Sequence, residues 1–255
     1  MNPLQASLLS AILLLITFPP LGVWGLAAVA LAPLMWASIQ EPSWKLRLRN
    51  GWLAGTLYWG GVCYWIQFVL EVHGGMGGFG SWGAFLLFAV AKGISMGVFS
   101  VAVGWMMPGP LGLIGAAALW TGIERLQGPL GFTWLHLGNA AIEMPLPMRL
   151  APIVGVYGLS FVLALLSAGI SYVACRRPRK ELAPLALLAL LLALPGPVAP
   201  ASPRESVRVV QPNIDTERNW DAPGLAKVEQ SMALLSRGGG ERFAATVDVV
   251  EPVDK

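Results

Sequence analysis

Lys92 lies inside a long apolar run and is the first residue in this chain to suggest chemistry. An ammonium surrounded by hydrocarbon is costly, which makes it a site candidate by default; the plainer account has it snorkelling or pairing with a carbonyl inside a helix bundle. His73 and His136 are the two imidazoles. Neither has a Cys, Asp or Glu partner at metal-ligand spacing, so no metal centre is expected, and nothing implies a cofactor. Trp134 lies in an apolar, aromatic stretch broken by glycines, Gly131-Phe132-Thr133-Trp134-Leu135-His136-Leu137-Gly138-Asn139. Such a stretch suits the boundary between lipid and water, with the indole at headgroup depth. Trp134, His73, His136 and Lys92 are therefore the candidates for lipid contact, against the plainer account of ordinary membrane anchoring. Cys63 and Cys175 fall within or at the end of apolar segments and read as free, packed thiols.

These residues need a membrane scaffold, and the composition supplies one. Hydrophobic residues make up 55% of the chain, charged residues 12%, and mean hydropathy is +0.63. Soluble domains sit nearer a quarter charged. Residues 1–200 carry ten Lys/Arg against five Asp/Glu, and residues 201–255 carry seven against nine. The basic excess thus belongs to the apolar part and its loops, which argues against nucleic acid as a partner.

A spanning helix takes about 20 apolar residues. Candidate spans cover roughly 5–19, 22–39, 51–70, 82–106, 111–125, 151–174 and 182–198, about seven in all. A cleaved signal peptide is the rival account of the first, disfavoured because Met1 to Ser7 carries no basic side chain. Small residues four apart, such as Gly51 with Gly55 and Gly93 with Gly97, suit close helix packing. Lys45, Arg47 and Arg49 precede the third segment, and Arg176, Arg177, Arg179 and Lys180 precede the seventh. Basic loops stay in the cytoplasm, so the N-terminus is expected inside and residues beyond the seventh span outside.

Residues 199–255 differ in composition. Ser206 to Gln211 has β-branched strand character, Asp221 can cap a helix running through Leu235, Gly238-Gly239-Gly240 stops it, and Ala245 to Val250 is a second strand candidate. Strand, helix, strand opens an α/β layered domain. The expected architecture is a polytopic bundle over 1–198 followed, over 199–255, by the first β-α-β part of an incomplete α/β domain.

The residues resemble those of the bacterial apolipoprotein N-acyltransferases, which join a membrane bundle to an extracytoplasmic nitrilase-like domain. Four collinear stretches carry the likeness. They are Gly55-Thr56-Leu57-Tyr58-Trp59 through Tyr64-Trp65 and His73-Gly74-Gly75-Met76; Gly131-Phe132-Thr133-Trp134-Leu135, with threonine where the family has proline; Ala151-Pro152-Ile153-Val154-Gly155-Val156-Tyr157-Gly158-Leu159-Ser160; and Val209-Val210-Gln211-Pro212-Asn213-Ile214 with Asn219-Trp220-Asp221.

The resemblance implies acyl transfer from a membrane phospholipid to the N-terminal amine of a diacylglyceryl-cysteine lipoprotein, at the bacterial inner membrane with the catalytic domain in the periplasm. It implies a Glu-Lys-Cys triad: a cysteine thiolate nucleophile, a glutamate base and a lysine at the oxyanion. Glu251 stands at about the family glutamate's distance from Gln211, although Val249-Val250 precede it and Pro252 follows, where the family has Trp-Pro before the glutamate. The alternative for Glu251 is a surface residue. The triad's lysine and cysteine and an eighth span have no counterpart up to Lys255, so the chain is expected to be a truncated and inactive form. The competing class is a non-enzymatic polytopic membrane protein, a small transporter or lipid-binding module.

Overall fold

The computed structural model describes residues 1–109, 111–127, 132–193, 214 and 221–237. The chain divides into two units, Met1–Pro197 and Val198–Lys255.

The first unit is helical throughout its described elements. Helix α1 runs Pro3–Thr17; Asn2 caps it by accepting from Gln5 N, and the Gln5 side chain returns a bond to Asn2 N. A 3₁₀ turn, Trp24–Ala28, leads to α2 at Ala32–Gln40. Then come α3 (Trp44–Val62), α4 (Trp65–Val72), α5 (Gly77–Met106) and α6 (Gly112–Gln127). After α6 the described chain passes through 3₁₀ turns at Thr133–Leu135 and Leu137–Glu143 and a single turn, α7, at Pro145–Met148. Helices α8 (Ala151–Ala174) and α9 (Ala183–Ala193) complete the unit.

This is a helical membrane-type protein, but the segments differ from the sequence expectation. By length and composition α5 and α8 can each cross a bilayer, and α3 with α4 makes a third crossing only if the pair, bent by 57°, counts as one. The expected span 22–39 is split by the 3₁₀ turn. The expected span 51–70 begins earlier, at Trp44, and breaks after Val62. Lys45, Arg47 and Arg49 consequently sit in the first turns of α3 rather than in a loop. Arg47 is buried there, its Nε donating to Glu41 O at 2.6 Å.

The packing follows from small residues. At the crossing of α3 and α5 the glycines face each other: a Cβ on Gly55 would lie 2.6 Å from Gly93 O, and one on Gly51 2.6 Å from Met96 O. Lipid tails are as apolar as leucine, so close backbone approach and polar bonds between helices provide the attraction. The bonds are present. Ser38 and Ser100 hydroxyls lie 2.6 Å apart between α2 and α5, Ser10 Oγ accepts from Leu34 N at 2.8 Å, Trp52 Nε1 donates to Val90 O at 2.8 Å, and Tyr172 OH donates to Met107 O.

Helix α8 hides an interruption. Gly155 has φ 62° and ψ −172°, a conformation that a side chain resists, so the helix stops there and restarts.

In the second unit the helix expected after Asp221 is α10, Ala222–Arg237, with Asp221 Oδ1 accepting from Gly224 N at 2.8 Å. The two expected strands, the glycine stop and Glu251 lie outside the described residues.

Candidate functional site

Three of the expected site residues, Lys92, Trp134 and His136, gather around the stretch between α6 and α8. Glu124, near the end of α6, organises it. Its carboxylate is buried, and Oε1 accepts from Trp120 Nε1 at 2.8 Å and from the backbone N–H of Leu137 at 2.7 Å. From the other side Ser160 Oγ on α8 accepts from Gly138 N at 2.8 Å. Two consecutive amides of an irregular segment thus find side-chain acceptors on the flanking helices. A buried backbone without such partners would be costly.

Lys92 neither snorkels nor meets a carbonyl. Its Nζ lies 4.3 Å from the ring centre of Trp59 on α3 and 4.6 Å from that of Phe132. Phe88 on α5 completes the aromatic cluster, with ring centres 5.3 Å from Phe132 and 6.1 Å from Trp59. Among the described residues the ammonium has no hydrogen-bond partner, and the atom is out of contact with solvent. Ring faces attract a desolvated cation by about 2 kcal/mol, whereas burying the charge costs several. Lys92→Met is therefore expected to keep or raise the thermal unfolding temperature in detergent. A fall would show that the clasp contributes more than desolvation removes.

Trp134 is 45% exposed, and its ring lies 6.3 Å from that of Trp65 at the start of α4. It shares an open cleft of about 480 Å³ with Thr133, His136, Asn139, Val156 and Tyr157. His136 is buried, its ring 5.0 Å from Tyr157. Burial pushes its imidazole pKa down and favours the neutral ring, and a hydrogen bond to the Glu124 backbone partly counters this. A smaller cavity of about 20 Å³, room for a water, also touches His136 and is walled by Glu124, Tyr58 and Phe132 among others.

The structure thus brings Trp134 and His136 into one cleft and joins Lys92 to Phe132 of the same stretch. His73 follows α4, its ring against Phe68, and lines neither cavity. Sequence reasoning missed Glu124, Tyr157 and the aromatic partners of Lys92. A lone acid near the end of an apolar segment was the available signal for Glu124.

Taken together, the apolar helices, interhelical polar bonds and aromatic stretch between α6 and α8 define a helical membrane protein with an organised loop platform. Residues 10–169 match the family profile of the apolipoprotein N-acyltransferase N-terminal domain, and the chain belongs to that family. It is similar to the apolipoprotein N-acyltransferases of Geobacter metallireducens (29% identical, covering 94% of this chain and 48% of the relative), Azotobacter vinelandii (31%, 91% and 46%) and Pseudomonas putida (28%, 86% and 45%). The chain spans about half the length of these curated relatives.

Proposed function

We propose that this chain provides the membrane part, residues 1–198, and the opening of a nitrilase-like domain, residues 199–255, of an enzyme that acylates lipoproteins. The single observation that carries this is the match of residues 10–169 to the family's N-terminal domain. In the reaction a cysteine thiolate attacks the ester carbonyl of a phospholipid acyl chain, forming a thioester and releasing a lysophospholipid. The α-amine of a diacylglyceryl-cysteine lipoprotein then attacks the thioester, forming an amide and freeing the thiol. A glutamate takes the proton from the nucleophile and a lysine steadies the oxyanion. Glu251 is our candidate for that glutamate.

The membrane part is arranged as about seven crossings of the bacterial inner membrane, with the N-terminus in the cytoplasm and residues 199–255 in the periplasm. The basic residues support it: seven fall on the cytoplasmic side in this arrangement, and Arg125 and Arg149 near the other face. Alkaline phosphatase fused after residue 75, 140 or 200 is expected to be active, and after residue 45 or 178 inactive; the opposite pattern overturns the orientation.

The activity is tested by reconstituting the product of the native gene with acyl-labelled phospholipid and a diacylglyceryl-cysteine peptide. The expected products are an N-acylated peptide and an equal amount of lysophospholipid. No transfer by a form carrying the triad's lysine and cysteine sinks the proposal.

A further inference from the structure

We propose that the end of the membrane part opposite the Trp134 stretch carries a collar of cations that binds anionic phospholipids of the leaflet there. In the arrangement proposed above this is the cytoplasmic leaflet, so the collar is no acyl-donor site, and it stands or falls without the acyl-transfer proposal.

The fold gathers three turns at this end, those between α2 and α3, between α5 and α6, and after α8. Gln40 Nε2 at the end of α2 donates to Cys175 Sγ at the end of α8, at 3.4 Å. Arg177 donates to Pro108 O at 2.8 Å, and Tyr172 OH to Met107 O. Gly104 of α5 abuts the Arg47 guanidinium of α3. At the far end of α5, Ser81 Oγ accepts from Gln67 Nε2 of α4 at 3.1 Å, and α4 begins at Trp65, the ring neighbour of Trp134. Ser81 to Met106 measures about 38 Å along the helix at 1.5 Å per residue. That exceeds a hydrocarbon core of about 30 Å, so the two ends meet opposite leaflets.

Exposed indoles mark where this end meets its leaflet. Trp44, at the start of α3, is 50% exposed, and Trp105, near the end of α5, 65%. Indoles turned outward at helix ends sit at headgroup depth. On the adjoining turns Lys45, Arg49, Arg176, Arg179 and Lys180 are all exposed, and among the described residues none of the five is in an ion pair. The carboxylates of these turns are already engaged. Glu181 pairs with Arg177 at 3.0 Å, and Glu41 accepts from Ser43 N at 3.1 Å. Cations left at phosphate depth attract anionic headgroups, each adding to the pull.

Arg176 supplies an independent sign. It follows α8 with φ 54°, and the amides of Arg176 and Arg177 close back on Val173 O and Tyr172 O, both at 3.0 Å. Glycine is the usual residue at this point of such a helix ending, because a side chain resists the left-handed backbone. The chain keeps an exposed arginine there at a cost to its own stability. The cation's use lies with the lipid rather than with the fold.

The test offers the detergent-solubilised full chain short-chain phosphatidylglycerol, phosphatidylcholine of the same chains and glycerol phosphate, with binding read by native mass spectrometry. The wild type is expected to hold phosphatidylglycerol about tenfold more tightly than phosphatidylcholine, a preference that shrinks as salt rises. Arg176→Gly should weaken the preference while keeping or raising the unfolding temperature, because it relieves the backbone. Adding Arg179→Gln and Lys180→Gln should erase most of it; should that triple variant unfold, the Gln pair alone gives the same reading. Arg125→Gln, in the last turn of α6 away from the collar, should leave it unchanged. Equal binding of the two lipids by wild type, or a preference that survives the collar variants, overturns the assignment. A loss in Arg125→Gln as large as in the collar variants overturns it in favour of a site at the other end. Glycerol phosphate bound as tightly as the lipid overturns it in favour of a free anion.

Discussion

Glu124→Ala is expected to cause one of the largest losses of stability among single substitutions in the membrane part. The substitution removes the acceptor of two buried donors, Trp120 Nε1–H and Leu137 N–H. Each buried donor left unpaired costs roughly 1–3 kcal/mol, and the emptied space adds to that. Glu124→Gln retains a carbonyl oxygen for both donors, so its loss should be the smaller. Thermal unfolding in detergent ranks the two variants. Hydrogen exchange locates the effect: the Leu137 amide should exchange much faster in the alanine variant and little faster in the glutamine variant. Equal damage from both would mean that the carboxylate's charge, rather than its acceptor geometry, holds the segment.

A comparably large effect is expected at Gly55, with Gly60 as its control on the same helix. A methyl on Gly55 would sit 2.6 Å from Gly93 O and 2.8 Å from Gly93 Cα, both backbone atoms that cannot step aside alone. Helices α3 and α5 must then separate, and overpacking of this kind costs about 1–3 kcal/mol. A methyl on Gly60 would meet Ala89 Cβ at 3.8 Å, an ordinary contact. There alanine gains up to about 1 kcal/mol of helix propensity. Gly55→Ala should therefore lower the unfolding temperature, while Gly60→Ala leaves it level or raises it. A fall in both would assign the sensitivity to helix flexibility rather than to the crossing.

The apolar segments were legible because a membrane helix announces itself in composition alone. Their ends were less so. Lys45, Arg47 and Arg49 resemble loop charges, yet the helix runs through them because Arg47 reaches back to a carbonyl at Glu41. The split between α3 and α4 was hidden because both halves are apolar and no proline marks the break. Gly155 looked like one more small residue in a packed span; its positive φ depends on tertiary context that composition does not encode. At the candidate site, Lys92 stood out as a charge among apolar neighbours. Its partners, Trp59 and Phe132, come from separate parts of the chain, and only the fold joins them. The four family-like stretches were legible as motifs, and residues 10–169 bear out the family they suggested.

The clasp around Lys92 also bears on where the Phe132 stretch runs. Helix α5 has 30 residues, and Lys92 lies at its midpoint. At 1.5 Å per residue that is about 22 Å along the axis from the Gly77 end. A lysine side chain reaches only about 6 Å from its backbone, so a ring 4.6 Å from Nζ cannot rest at the outer rim of a helix this long. The Phe132 ring therefore packs inward among the helices, level with the middle of α5. Backbone outside a regular helix, packed among apolar helices, persists only where protein groups receive its N–H bonds. Five and six residues further on, Glu124 and Ser160 receive the Leu137 and Gly138 amides: the carboxylate and the hydroxyl stand in for solvent.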